Sequence, residues 1–227
     1  MSNSFSNSKA VIWDMDGVLI DSGSYHFQAW RETLGRERHV ELTWEMFQQT
    51  FGWRNAEMLR AVLGPDITAA EIDSLAGLKE ARFRELACQD GARLLMPGVL
   101  DCLAQLRAHG WLQAIASSAP TQNVTAILEA LPLSGYFSAV VAAEDVVHGK
   151  PDPAPFLTAA QRLGVAPARC VVVEDAPAGI QAARRAGMAC IGLLTTHAQL
   201  DHQPVFPTLV DVPFAFFERC IAESGGN

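Results

Sequence analysis

Four short stretches of the 227-residue chain carry side chains whose type and spacing could do chemistry together. Asp14-Met15-Asp16-Gly17-Val18 follows the apolar run Ala10 to Trp13. In an extended chain alternate side chains share a side, so Asp14 and Asp16 leave that run together. Two carboxylates this close repel unless a proton or a cation lies between them, and Gly17 allows a tight turn beside the pair. The pattern asks for a divalent metal. A calcium loop would need Asp or Asn in place of Val18 and a Glu twelve residues into the loop, and both are absent. The plain alternative is an acidic turn after a strand. A second acidic pair, Glu174-Asp175, follows Val171-Val172-Val173. Ligands of open α/β sheets bind beyond the carboxyl ends of the strands, so the two pairs can converge on one ion. Taken singly, Asp175 would be an N-cap for the helix containing Pro177.

Two further residues fit an anion. Ser117 opens the turn Ser117-Ser118-Ala119-Pro120-Thr121 after a third apolar run, where a hydroxyl and free backbone N–H groups can hold negative charge. Lys150 lies in Gly149-Lys150-Pro151-Asp152-Pro153, where Pro151 biases it away from helical backbone. It is one of only three lysines (Lys9, Lys79, Lys150) among 17 basic residues. Alone, Ser117 would be a turn residue and Lys150 a solvated surface charge. A serine, a lysine and a metal at successive strand ends would cradle a phosphate from three sides.

The elements that must position these groups are legible in the apolar pattern. Ala10 to Trp13, Leu112 to Ala116, Ala139 to Ala142, Cys170 to Val173 and Ala189 to Leu194 are short runs rich in Val, Ile, Ala and Leu without alternation, as expected of parallel strands covered on both faces. Helical patterns lie between them at Val99 to His109, Thr121 to Leu131, Pro155 to Leu163 and Ala178 to Ala186. The alternation predicts a doubly wound, mostly parallel α/β sheet, a Rossmann-like core. Residues 22–95 break the rhythm and predict an inserted all-α cap domain, with helices near Tyr25 to Leu34, Trp44 to Phe51, Ala56 to Leu63 and Ala69 to Ala87. The core then comprises 9–21 and 96–227, after a tail at 1–8. Asp201 to Pro213 is proline-punctuated, and Phe214 to Ala222 is read as a short packing helix.

Composition narrows the function classes. Lys plus Arg is 17 against 25 Asp plus Glu, a net charge of −8, the wrong sign for a nucleic-acid backbone. The Ser/Asn-rich start lacks the pattern of a signal peptide, and no apolar run approaches a membrane span. Five dispersed cysteines without CxxC spacing are expected to be reduced core thiols. A cytoplasmic protein, without nucleic-acid or membrane partners and monomeric, is the expectation.

Taken in order on this strand pattern, Asp14-Met15-Asp16-Gly17-Val18, Ser117, Gly149-Lys150-Pro151 and Glu174-Asp175 with Ala178-Gly179-Ile180 resemble the haloacid dehalogenase superfamily of phosphotransferases. The resemblance spans residues 10–195. The helical insertion, opening with Tyr25-His26-Phe27-Gln28-Ala29-Trp30, is similar to the small cap of the β-phosphoglucomutase-like branch. The resemblance implies Asp14 as the nucleophile that becomes an aspartyl phosphate, and Asp16 as general acid and then base. It implies Mg²⁺ held by Asp14, the Asp16 backbone carbonyl, Glu174 and Asp175, with Ser117 and Lys150 on the phosphoryl oxygens. Dehalogenase members lack the second aspartate, so Asp16 favours phosphoryl chemistry. His26, Trp30, Arg54 and Lys79 become candidates for contacting the leaving group of a small phosphorylated substrate, although His26 and Trp30 would serve equally as helix-packing residues. Arg54 closes Phe51-Gly52-Trp53-Arg54, one residue tighter than the mutase pattern, and Ala176 stands where many relatives have Ser. The implied activity is a metabolite phosphatase, with a phosphosugar mutase using the same aspartate as its alternative. A phospho-accepting signalling module without turnover is the reading from another class.

Overall fold

The computed structural model describes residues 8–50, 54–133 and 135–224. Its sheet has six strands in the order β3-β2-β1-β4-β5-β6, every neighbouring pair parallel. The strands are β1 (Ala10–Trp13), β2 (Leu112–Ala116), β3 (Ala139–Val141), β4 (Cys170–Glu174), β5 (Ala189–Leu193) and β6 (Val205–Phe206). The helices are α1 (Gly23–Arg38), α2 (Trp44–Thr50), α3 (Asn55–Leu63), α4 (Ala69–Asp90), α5 (Val99–Ala108), α6 (Thr121–Ala130), α7 (Ala154–Leu163), α8 (Pro177–Arg185) and α9 (Phe214–Ser224). This is the doubly wound α/β architecture expected from the pattern, with its helical insertion.

The central strands are apolar almost throughout, Gln113 of β2 and Glu174 at the end of β4 being the exceptions, because both faces are covered. Along β1, Ala10 and Ile12 join a core with Val172, Phe156 of α7 and Ile180 of α8. Trp13 has the opposite parity and lies near Phe217 of α9, ring centroids 6.4 Å apart. Its indole N–H donates to Gln113 Oε1 at 3.1 Å, and Gln113 in turn donates to the Leu103 carbonyl of α5 at 3.0 Å. Both the oxygen and the nitrogen of the buried amide are thus engaged, which offsets its desolvation. β6 was not anticipated: two residues in a proline-punctuated stretch give too short an apolar pattern to register, and pairing with β5 is what makes them a strand.

The chain divides into two compact units, Met1–Asp21 with Leu94–Asn227, and Ser22–Arg93. In the first, the two passages of chain that flank the insertion pair with each other: Asp21 N–H donates to Leu94 O at 2.8 Å and Met96 N–H to Leu19 O at 3.0 Å. The second is a helical unit whose core gathers Trp30, Leu34, Phe47, Met58, Leu59, Ile72 and Leu75. Arg82 and Arg38 tie α4 to α1 through Glu32 and Glu71 at 2.7 Å each. The 22-residue α4 starts on a capping box in which Thr68 Oγ1 accepts from Glu71 N–H and Glu71 accepts from Thr68 N–H. Of the expected helix ending at Phe51, the last residue lies outside the described residues.

Candidate active site

Strand register brings the two acidic pairs to one edge. Trp13 is aligned with both Val173 and Ile115, and Asp14 N–H donates to Val173 O at 3.0 Å. Asp14, Glu174 and Ser117 therefore leave three adjacent strands at their carboxyl ends. Asp14 continues the parity of Ile12, and Glu174 that of Val172, toward the face covered by α7 and α8. Gly17 completes the turn with φ +78°, and a Cβ there would lie 2.0 Å from Asp175 Oδ2. Only glycine permits that approach.

Asp14, Glu174 and Asp175 are all buried, and each offers a carboxylate oxygen within 4.8 Å of the others. Lys150, arriving from the loop between β3 and α7, donates to Glu174 Oε1 at 2.7 Å and in a short contact to Asp14 Oδ1. Its ammonium stands 5.0 Å from the centroid of the buried Phe156 ring. The other Glu174 oxygen accepts the N–H groups of Asp175 and Ala176 at 2.9 Å each, at the entrance to α8. Glu174 therefore fixes the lysine with one oxygen and the strand-to-helix turn with the other. Gly179 of α8 makes room for it, since a Cβ would fall 1.7 Å from Glu174 Oε1.

The charge balance of this cluster is uneven. Burial pushes the Asp14 carboxyl well above its ordinary pKa; Lys150 opposes the rise, and the charges of Glu174, Asp175 and Asp16 add to it. Asp175 is raised to about 7, first by burial and then by Glu174, against the opposing hydrogen bond from Thr196. Burial works against the Lys150 charge, but Asp14 and Glu174 more than offset it and hold the ammonium above the usual lysine value. Lys150 pairs with Asp14 and Glu174, while the charges of Asp175 and Asp16 add to the repulsion on Asp14, so a further cation would relieve it. Three buried oxygen donors in mutual reach, with a glycine-made close approach beside them, fit a small hard divalent ion such as Mg²⁺.

The remaining expected site residues are placed as follows. Asp16 is half-buried and is not one of the three carboxylates that share this reach, although its charge acts on both Asp14 and Asp175. Ser117 is buried, its N–H donating to Val141 O at 2.9 Å and its Oγ accepting from Ala119 N–H at 3.0 Å. In the helical unit, Trp30 belongs to the apolar core, and the His26 ring stacks on Phe83 with centroids 3.9 Å apart. Lys79 is buried, ion-paired with Glu80 at 2.8 Å, and its ammonium lies 5.4 Å from the Trp30 ring. Asn55 donates to the same Glu80 oxygen at 3.0 Å. Arg54 is exposed at the N-cap of α3; its neighbours Phe51, Gly52 and Trp53 lie outside the described residues.

Sequence reasoning passed over Glu80, Phe156, Thr195 and Thr196. None belongs to a motif. The two threonines follow an apolar strand, and that position on the sheet edge is the one signal that could have drawn attention to them.

A family model for haloacid dehalogenase-like hydrolases matches residues 8–187. The chain belongs to the haloacid dehalogenase-like hydrolase family. It is 36% identical over 190 residues to a β-phosphoglucomutase of Bacillus subtilis, covering 82% of this chain and 83% of the relative. It is also 36% identical over 188 residues to a fructose-1-phosphate phosphatase of Escherichia coli, covering 80% of this chain and 94% of the relative. A haloacid dehalogenase hydrolase of Entamoeba histolytica shares the fold with a TM-score of 0.85 at 24% identity, over 94% of this chain and 99% of the other. The chain is thus a member of a hydrolase family, and the two relatives just named are a phosphomutase and a phosphatase. Among the described residues no helix is long and apolar enough to cross a membrane.

Proposed function

We propose that the chain is a Mg²⁺-dependent phosphatase for a small phosphorylated metabolite, most simply a sugar monophosphate, acting through phosphorylated Asp14. The observation that carries this reading is the buried group of Asp14, Glu174 and Asp175 with Lys150 bonded into it. Asp14, Glu174, Asp175 and the Asp16 backbone carbonyl would hold the ion. When bound, Mg²⁺ offsets the excess negative charge and polarises a phosphoryl oxygen.

The chain's own groups perform the steps. An Asp14 carboxylate oxygen attacks phosphorus as the bond from phosphorus to the substrate oxygen breaks, and Asp16 gives its proton to that departing oxygen. The phosphoryl group then sits on Asp14. Asp16, now a carboxylate, takes a proton from water as the water oxygen attacks phosphorus. The bond from phosphorus to Asp14 breaks, releasing inorganic phosphate and restoring both carboxyl groups. Lys150 and Ser117 neutralise and orient the phosphoryl oxygens, which is most of what such a transfer requires.

Hydrolysis is favoured over mutase chemistry by the state of Lys79. A mutase needs a cap cation to grip a second phosphate, and here Glu80 already neutralises that ammonium at 2.8 Å. A phosphate dianion brought beside Lys79 would also meet the Glu80 carboxylate. His26, Lys79 and Arg54 are then candidates for hydroxyl groups of the leaving sugar, with Trp30 packing behind Lys79. The mutase reading draws its support from the B. subtilis relative. A panel of sugar monophosphates, with and without Mg²⁺, read for free phosphate and for product identity, separates the two. Phosphate release without a bisphosphate primer is the expected result. Isomer interconversion that depends on such a primer would establish the mutase, and a single phosphorylation per chain without turnover would establish the signalling module.

A further inference from the structure

We infer that Thr195 and Thr196, on the turn after β5, are positioning residues that lock the two acidic pairs together, the first through the backbone of the Asp14–Gly17 turn and the second through the Asp175 carboxylate. The inference rests on the metal reading given above.

The turn is itself anchored, because Leu194 N–H donates to Phe206 O of β6 at 2.9 Å. From there Thr195 Oγ1 donates to Gly17 O at 2.6 Å. Thr196 Oγ1 makes a short hydrogen bond to Asp175 Oδ2, and His197 Nδ1 lies 3.1 Å from Asp175 O. Thr196 is exposed, yet its hydroxyl reaches inward to a buried carboxyl. The same threonine packs on the turn, since a Cβ on Gly17 would meet its Cγ2 at 2.8 Å. Asp14 and Asp175 come from β1 and β4, and their like charges push these strand ends apart. The threonines, held by a third strand, supply neutral hydrogen bonds that oppose the separation and restrict the Asp175 carboxyl to one orientation. A side chain that orients a ligand in this way governs metal affinity without touching the metal.

The test is Mg²⁺ binding to the full chain by calorimetry in the absence of substrate, for wild type, Thr196→Val, Thr196→Ser and Thr195→Val. Valine keeps the shape of threonine and removes the hydroxyl; serine keeps the hydroxyl. Thr196→Val is expected to weaken Mg²⁺ binding by roughly tenfold or more, the scale seen when a group that orients a metal ligand is lost. Thr196→Ser is expected to bind within about twofold of wild type, since it retains the orienting hydrogen bond. Thr195→Val, which releases the Gly17 carbonyl, is expected to weaken Mg²⁺ binding in the same direction, and wild-type affinity in that folded variant would remove Thr195 from the inference. Should the valine variant at 196 misfold by circular dichroism, Thr196→Ala takes its place with the same expectation. Wild-type affinity in the folded, hydroxyl-free variant overturns the inference alone. A wild-type chain that binds no Mg²⁺ overturns the metal reading itself and is told apart by that control.

Discussion

Asp175 is one of three buried carboxyl groups in mutual reach, and its raised pKa makes a signed statement about stability. A carboxyl raised from its ordinary value of 3.8 to about 7 stabilises the fold fully below the lower value, and that contribution is lost as pH climbs through the upper one. The metal-free chain should therefore lose thermal stability between pH 4 and pH 7, the window those two values define. Added Mg²⁺ should raise its melting temperature more at pH 7.5 than at pH 5, because an ion competes best where the carboxylates are ionised. Thermal melts with and without the ion at both pH values check this; equal shifts at the two would contradict it. Asp16→Ala should leave Mg²⁺ binding largely intact while slowing turnover by ~10² or more, the usual scale of proton-transfer help. Turnover at the wild-type rate would take Asp16 out of the mechanism. Gly17→Ala tests the close approach: its Cβ would fall 2.0 Å from Asp175 Oδ2, and its φ of +78° adds about 1–2 kcal/mol for any other residue. Loss of Mg²⁺ binding with a lowered melting temperature is the expected outcome.

At the scale of elements, the parallel strands were legible because burial on both faces demands unbroken apolar runs. β1 and β2 fall on the bounds their sequence predicts, and β3 is one residue shorter, β4 one longer and β5 one shorter than predicted. Three of the cap helices, α1, α3 and α4, extend beyond the predicted ranges, α1 running from Gly23 to Arg38, because polar end turns carry no apolar period, whereas α2 starts at the predicted Trp44 and its predicted last residue lies outside the described residues. β6 escaped because its strand character comes from pairing with β5, a tertiary effect. Within the candidate site, the acidic pairs and Lys150 stood out by type and by place after apolar runs. Glu80 did not, since a charged residue following a lysine on a helix reads as solvated surface until burial shows that the pair is enclosed. The capping box of α4 offers a clean test at this scale. Thr68→Ala should cost about 1 kcal/mol of stability, measured by denaturant unfolding, as its hydroxyl and the Glu71 carboxylate lose each other. Glu71, whose carboxyl is held down to about 2 first by the Thr68 backbone N–H and then by Arg38, both of which the variant keeps, should stay below its ordinary value and rise only by the smaller share that the Thr68 hydroxyl supplied.

Across the whole molecule, a parallel sheet delivers acids from two sequence-distant segments to one buried point, and in the proposed reaction Asp14 takes up a phosphoryl group there. The substrate was not legible from sequence because the candidates proposed to choose it, His26 and Trp30 among them, are residue types that read equally well as helix packing, which is the role the structure gives Trp30 in its core and His26 on the Phe83 ring. In the reading proposed above, the pairing of Lys79 with Glu80 favours a ligand with one phosphate. The most direct measurement is to mix the chain and Mg²⁺ with a sugar monophosphate that it turns over, quench in acid during turnover, and locate any phosphoryl group by peptide mass spectrometry. The account predicts phosphorylation on the peptide bearing Asp14, absent in Asp14→Asn. Phosphate release with no covalent phosphoryl group on the chain, or with that group on another residue, would contradict it.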